Sequence, residues 1–150
     1  MQKLNFTINI NAPKERVWEI LWNETTYPQW ANVFCEGSYA VSDWKEGSKV
    51  HFLAPDGQGM YSLIAKLVEN EFISFNHLGI LKDKIEQPPT EETKQWSESF
   101  EDYTLTESDG ITTLAVNVDS LDQYVEFFND KFPIALQNVK DLAETKANAA

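Results

Sequence analysis

The stretch LDQYVEFFNDKFPIALQNVKDLAETK, residues 121–146, decides the fold. Tyr124, Phe128, Phe132, Ala135, Leu136, Val139, Leu142 and Ala143 recur in it at three- and four-residue spacing, the repeat of a helix with one apolar stripe. Pro133 falls inside the pattern. A proline there removes one backbone hydrogen bond and kinks a helix without having to end it. The reading is one long bent helix. An apolar stripe of that length must be buried against another layer.

The rest of the chain supplies that layer. Residues 2–11 alternate, with Leu4, Phe6, Ile8 and Ile10 on one face and Asn5, Thr7, Asn9 and Asn11 on the other, as in a half-buried strand. Pro13 opens a helix over 13–22, where Val17, Trp18, Leu21 and Trp22 form the stripe, and a second short helical turn runs to Trp30. Strands are expected at 33–41, 48–54, 58–68, 71–80, 96–106 and 111–118, separated by Lys45-Glu46-Gly47, Pro55-Asp56-Gly57, Glu69-Asn70 and Ser108-Asp109-Gly110. Residues 82–95, with Pro88 and Pro89 among Lys, Asp and Glu, read as a long mobile loop. The order is β-α-α-β6-α: about seven strands, six of them in a meander. This predicts an α+β helix-grip fold, a curved antiparallel sheet wrapped around the C-terminal helix, and one domain over 1–150.

Composition narrows the function classes. The formal net charge of −12 argues against nucleic acid and anionic membrane surfaces as partners. No apolar run approaches the roughly 20 residues that span a bilayer, so no membrane insertion is expected. Cys35 is the single cysteine and the N-terminus lacks the pattern of a signal peptide, which makes the cytoplasm the expected location. Aromatic residues make up 13%, including five Trp and nine Phe, and rings in such number either pack a thick core or line a pocket.

The chain resembles the SRPBCC (START-like, Bet v 1-like) superfamily, and within it the branch named for the activator of Hsp90 ATPase homologue 1. The resemblance covers essentially the whole chain. It is carried by INAPKERVWEILWN (10–23), TTYPQW (25–30), DWKEGSKVHF (43–52), ISFNHLG (73–79), YTLTESDGITTLAV (103–116) and FPIALQNVKDLAE (132–144). It implies the helix-grip fold and a cavity between sheet and helix. It also implies three kinds of activity. The first is binding of a small hydrophobic or amphipathic ligand. The second is interaction with a protein such as an Hsp90-type chaperone. The third is enzymatic action on a hydrophobic substrate.

The candidate cavity lining is Trp22, Trp30, Phe52, Phe75, Trp96, Phe100, Phe128 and Phe132; each ring alone fits a packed core, and the set together fits a pocket. His77 shares strand parity with Phe75 and is expected to face the same way, whereas His51 is expected to be exposed. Glu98 shares parity with Trp96 and Phe100 and is nominated as an inward carboxylate. Trp96 follows the 82–95 loop and is placed at the cavity mouth. Two histidines and one cysteine on separate elements match no zinc pattern, so neither a metal nor a cofactor is expected. Cys35 lies beside Glu36, a neighbour that works against thiolate formation, and no catalytic residue is nominated. The leading expectation is a non-enzymatic binding domain.

Overall fold

The computed structural model describes residues 1–95 and 99–149, the last four of these by backbone alone. Strand β1 (Gln2–Ile10) leads into helices α1 (Lys14–Trp22) and α2 (Tyr27–Ala31). Strands β2 (Tyr39–Ser42), β3 (Lys49–Leu53), β4 (Gly59–Val68), β5 (Phe72–Lys82) and the two-residue β6 (Ile85–Glu86) follow. Next come the short helix α3 (Glu91–Lys94), β7 (Phe100–Ser108) and β8 (Ile111–Ser120). A 3-10 turn at Asp122–Tyr124 then feeds α4 (Val125–Ala149). The sheet order is β1-β8-β7-β5-β4-β3-β2, with β6 pairing on β5, and every pairing is antiparallel. The sheet curves around α4, and the fold is α+β of the helix-grip kind.

The β1 alternation places Leu4, Phe6, Ile8 and Ile10 on the core. Its polar face joins β8 through Lys3–Asp119 (2.8 Å), Asn5–Asn117 (2.6 Å) and Asn9–Thr113 (2.9 Å). In α4, Phe132, Ala135, Leu136, Val139 and Ala143 are fully buried, and the helix runs unbroken through Pro133. Tyr124 lies outside that stripe and is exposed. The C-terminal half of α4 is fastened to the β1–α1 corner: Arg16 donates to the Leu142 carbonyl, Lys140 to the Asn9 carbonyl, and the Glu144 carboxylate accepts from the Asn11 amide. Ala135 and Ala143 sit among the buried positions, and their small side chains let the middle and C-terminal turns lie close to their neighbours.

Three expectations are corrected. The strand expected at 33–41 begins only at Tyr39, because residues 33–38 turn: the Asn32 side chain accepts from the Gly37 amide (3.0 Å), and Gly37 has φ +79. Residues 82–95 are not an unstructured loop. Asp83 and Lys84, at φ 53 and 67, close a tight β5–β6 hairpin, and a Thr90–Thr93 capping box starts α3. His51, expected to be exposed, is half-buried on the outer face against Glu86 (2.9 Å).

Candidate functional site

A cavity of about 600 Å³ lies between α2, the first turns of α4 and strands β3, β5, β7 and β8. It forms where the helix stops lying close. The buried alanines, Ala135 and Ala143, follow Phe132 along α4, while the first turns present Phe127, Phe128 and Phe132 to the cavity. Those rings prop one another. Phe132 stacks on Phe6 (4.9 Å between centroids) and meets Phe34 edge-on (4.9 Å) and Phe128 at 5.7 Å. Exposed lining residues, Asp56, Glu92, Tyr124 and Phe127, mark the opening.

Among the nominated residues, α1 brings Trp22 to the wall and α2 brings Trp30, whose ring N–H donates to the Leu21 carbonyl (3.0 Å). Phe52 comes from β3, Phe75 and His77 from β5, and Phe128 and Phe132 from α4. Phe100 is corrected. It is 38% exposed and does not line the cavity. Directly opposed residues on paired strands share a face. Phe100 pairs with Asn76 and is turned away, whereas Glu101 pairs with Phe75 and faces inward with Tyr103 and Leu105. Trp96 and Glu98 lie outside the described residues.

The cavity carries a polar group on one wall. A β-bulge shifts the β4–β5 register, so that Tyr61 pairs with Gly79 but Ser62 pairs with His77. Bulges re-aim side chains. Here the bulge turns Tyr61 outward and Ser62 and His77 inward. Ser62 Oγ lies 2.8 Å from His77 Nδ1, and His77 Nε2 lies 3.4 Å from Glu101 Oε1. The Tyr103 hydroxyl donates to Glu101 Oε2. The Ser62 hydroxyl, which can donate or accept, pairs with Nδ1, and Nε2 faces Glu101. Burial, reinforced by the Glu101 charge, pushes the Tyr103 and Tyr27 hydroxyls well above the ordinary tyrosine range, so both stay neutral phenols.

Ser62, His77 and Glu101 have the residue types of a hydrolytic triad but not its geometry. Ser62 is 0% exposed, does not line the cavity, and holds Nδ1 rather than waiting on Nε2. Its role is to position the imidazole. Cys35 lines the cavity but is exposed, with its thiol near only the Glu36 carbonyl (3.9 Å). Among the described residues no three His, Cys, Asp or Glu side chains could hold a metal, and no helix is long and apolar enough to cross a membrane. Glu101, Tyr103, Tyr27 and Ser62 escaped sequence reasoning. The alternation of Glu101, Tyr103 and Leu105 was the one local signal that would have found the first two.

The family model described as Activator of Hsp90 ATPase homolog 1-like protein matches residues 11–127. No curated protein matches the chain in sequence. Three solved structures show the likeness in fold. The solution structure of the Aha1 dimer from Colwellia psychrerythraea has a TM-score of 0.68 at 18% identity, covering 96% of this chain and 97% of that one. An X-ray structure of a protein from Mesorhizobium loti has a TM-score of 0.74 at 13% identity, covering 96% and 98%. DynU16, from the dynemicin biosynthetic locus, has a TM-score of 0.71 at 16% identity, covering 97% of this chain and 48% of that one. At these identities the likeness is one of fold, and a fold hosts many activities.

Proposed function

The chain belongs to the Activator of Hsp90 ATPase homolog 1-like family, within the SRPBCC superfamily, and we propose that it is a binding domain for a small amphipathic molecule held between the sheet and α4. One observation carries the reading: an aromatic-walled cavity of about 600 Å³ that also holds a hydrogen-bonded polar group, His77 with Glu101 and Tyr103. Ligand sites are of this kind, mostly apolar with a few converging polar groups, and run from roughly 300 to 1,000 Å³. The rings enclose the apolar body of the ligand, and the His77 wall fixes its polar end. Of the residues nominated from sequence, Trp22, Trp30, Phe52, Phe75, Phe128 and Phe132 are the proposed enclosure.

A chaperone-docking reading, which the family description suggests, finds on α4, among the described residues, one large exposed apolar side chain away from the cavity, Ile134. The exposed rings of Tyr124 and Phe127 line the mouth of the cavity, where an entering ligand would meet them.

Titration with the uncharged fluorophore Nile red tests the proposal. Wild-type protein is expected to give a saturable one-to-one rise in emission. Ala31→Phe and Val118→Phe each push a ring into the cavity from a lining position, and each is expected to weaken binding by about tenfold or more with the fold retained by circular dichroism. Emission that does not saturate, or that both folded variants leave unchanged, refutes the assignment.

A further inference from the structure

We propose that the cavity selects its occupant by charge and takes an organic cation, a protonated amine on an apolar body, in preference to neutral or anionic molecules of the same shape. The inference rests on the binding reading above and adds the chemical class of the ligand.

The charged side chains lining the cavity are Asp56, Glu92, Glu101 and Asp119; among the described residues, no Lys or Arg lines it. These four are not equivalent. Asp119 is engaged, 2.8 Å from Lys3 and accepting from the Phe100 amide at 3.0 Å. Asp56 and Glu92 are exposed at the opening, where water screens them. Glu101 is the one that decides, with a side chain only 20% exposed. Its side-chain partners are the Tyr103 hydroxyl and the His77 ring. The Tyr103 hydroxyl carries no formal charge. Glu101 therefore brings a carboxylate, with which no Lys or Arg among the described residues pairs, to an apolar wall, where water is scarce and electrostatic interactions are stronger than in bulk.

The neighbouring walls suit the same ligand. Trp22 is 4.9 Å from Tyr103 and 5.3 Å from Phe75 between ring centroids, with ring planes 84° and 68° apart. Tyr27 is close enough to feel the Glu101 charge. A cation is attracted to the faces of such rings, and aromatic cages are how proteins recognise quaternary ammonium groups. Tyr27 and Tyr103, held as neutral phenols, keep oxygen lone pairs that can accept from an ammonium N–H. An anionic ligand would meet Glu101 with no Lys or Arg among the described lining residues to receive it. The net charge of −12 and the acidic rim draw cations toward the opening.

The test is calorimetric titration of full-length protein with three ligands matched in shape: naphthylmethylammonium, naphthylmethanol and naphthoate. The ammonium is expected to bind about tenfold or more tighter than the alcohol, with the carboxylate weakest. Glu101→Gln keeps the shape and an acceptor for Tyr103. It is expected to bring the ammonium to within about threefold of the alcohol while the alcohol itself changes by less than about threefold. Binding of the alcohol as tight as the ammonium overturns this inference and leaves the binding proposal standing. An ammonium preference that survives Glu101→Gln also overturns it. Binding of none of the three, with Nile red also failing, removes the binding reading and this inference with it. Should Glu101→Gln fail to fold, the ranking of the three wild-type affinities and its response to salt decide: the ammonium advantage must exist and must shrink as salt rises, while the alcohol stays constant.

Discussion

The contact between Ser62 and His77 yields a sharp prediction, because both partners are buried and each faces few alternatives. Ser62 is 0% exposed, His77 is 6% exposed, and 2.8 Å separates Oγ from Nδ1. Ser62→Ala removes a hydrogen bond worth about 1 kcal/mol net and leaves a ring nitrogen buried without a partner, which costs roughly 1–3 kcal/mol. The expected loss is about 2–4 kcal/mol. His77→Phe removes the same bond, orphans the Ser62 hydroxyl and withdraws the ring from Glu101, for a loss of similar size; the adjoining cavity leaves room for the larger ring. In the double variant Ser62→Ala/His77→Phe both polar ends are gone and neither is orphaned, so the shared bond is lost once. The double variant should therefore fall short of the sum of the singles by about 3 kcal/mol or more, one bond plus the two orphan penalties. Urea unfolding followed by tryptophan emission measures all four corners of the cycle, since five tryptophans report on the core. Additivity within about 0.3–0.5 kcal/mol would refute the claim that Ser62 positions the ring, whatever the single variants cost.

Two further perturbations probe the walls and the outer face. A methyl group added at Gly59 would sit 1.9 Å from the Phe52 carbonyl oxygen and 3.1 Å from Leu53 Cα, both backbone, so Gly59→Ala should cost about 3 kcal/mol or more. Gly110→Ala meets open space and only the strain of φ +79, about 1 kcal/mol; equal losses in thermal unfolding would show the β3–β4 approach to be misplaced. On the outer face the Lys49 hydrogen bond, and then that from His51, hold the Glu86 carboxyl below the ordinary value of 4.5. A carboxyl depressed on folding contributes stability above its unfolded pKa, and that contribution is lost as pH falls through the folded value. Glu86→Gln should therefore cost up to about 1 kcal/mol at neutral pH and progressively less below about pH 4, read as urea midpoints; a gap that widens in acid would reverse the assignment.

Periodic features were legible in the sequence because they are local. The α4 stripe and the β1 alternation each declare a face within a few residues, and the faces they declare are the buried ones. Phe75 and His77 were grouped by the same rule, and both line the cavity. The rule failed where facing is set by a partner strand. The run Ser97-Glu98-Ser99-Phe100-Glu101-Asp102-Tyr103 can be divided into alternating sets in either phase. Carrying the parity of Trp96 through it selects Phe100; pairing of Phe75 with Glu101 selects the other phase. Ser62 was invisible for a related reason. Its meeting with His77 depends on the Tyr61/Ser62 register shift, a non-local property of two strands. The β6 hairpin and α3 were hidden by composition: residues 82–95 have the look of a loop, while Asp83 and Lys84 in left-handed backbone and a threonine pair at 90 and 93 give them structure.

The placement of the cavity and of the polar group on the same wall is itself an argument for function. Each works against stability. An unfilled volume forfeits packing contacts that a larger side chain would supply. A buried His–Glu–Tyr set is at best neutral against apolar residues of equal volume, and costly when incomplete. Elsewhere among the described residues the main apolar stripes are buried, polar strand faces pair on the outside and α4 is fastened at its C-terminal half, with only isolated departures such as the unpartnered Asn76 Oδ1 and Asp102 Oδ1. Departures from such consistency concentrate where a protein meets its ligand. Here both departures fall together, under the half of α4 that presents phenylalanines rather than alanines, beside an opening bordered by exposed rings and carboxylates. A defect of packing alone would have no reason to carry the hydrogen-bonded carboxylate of Glu101, and a buried polar network alone would have no reason to border an opening. A bound molecule with an apolar body and one polar end accounts for both.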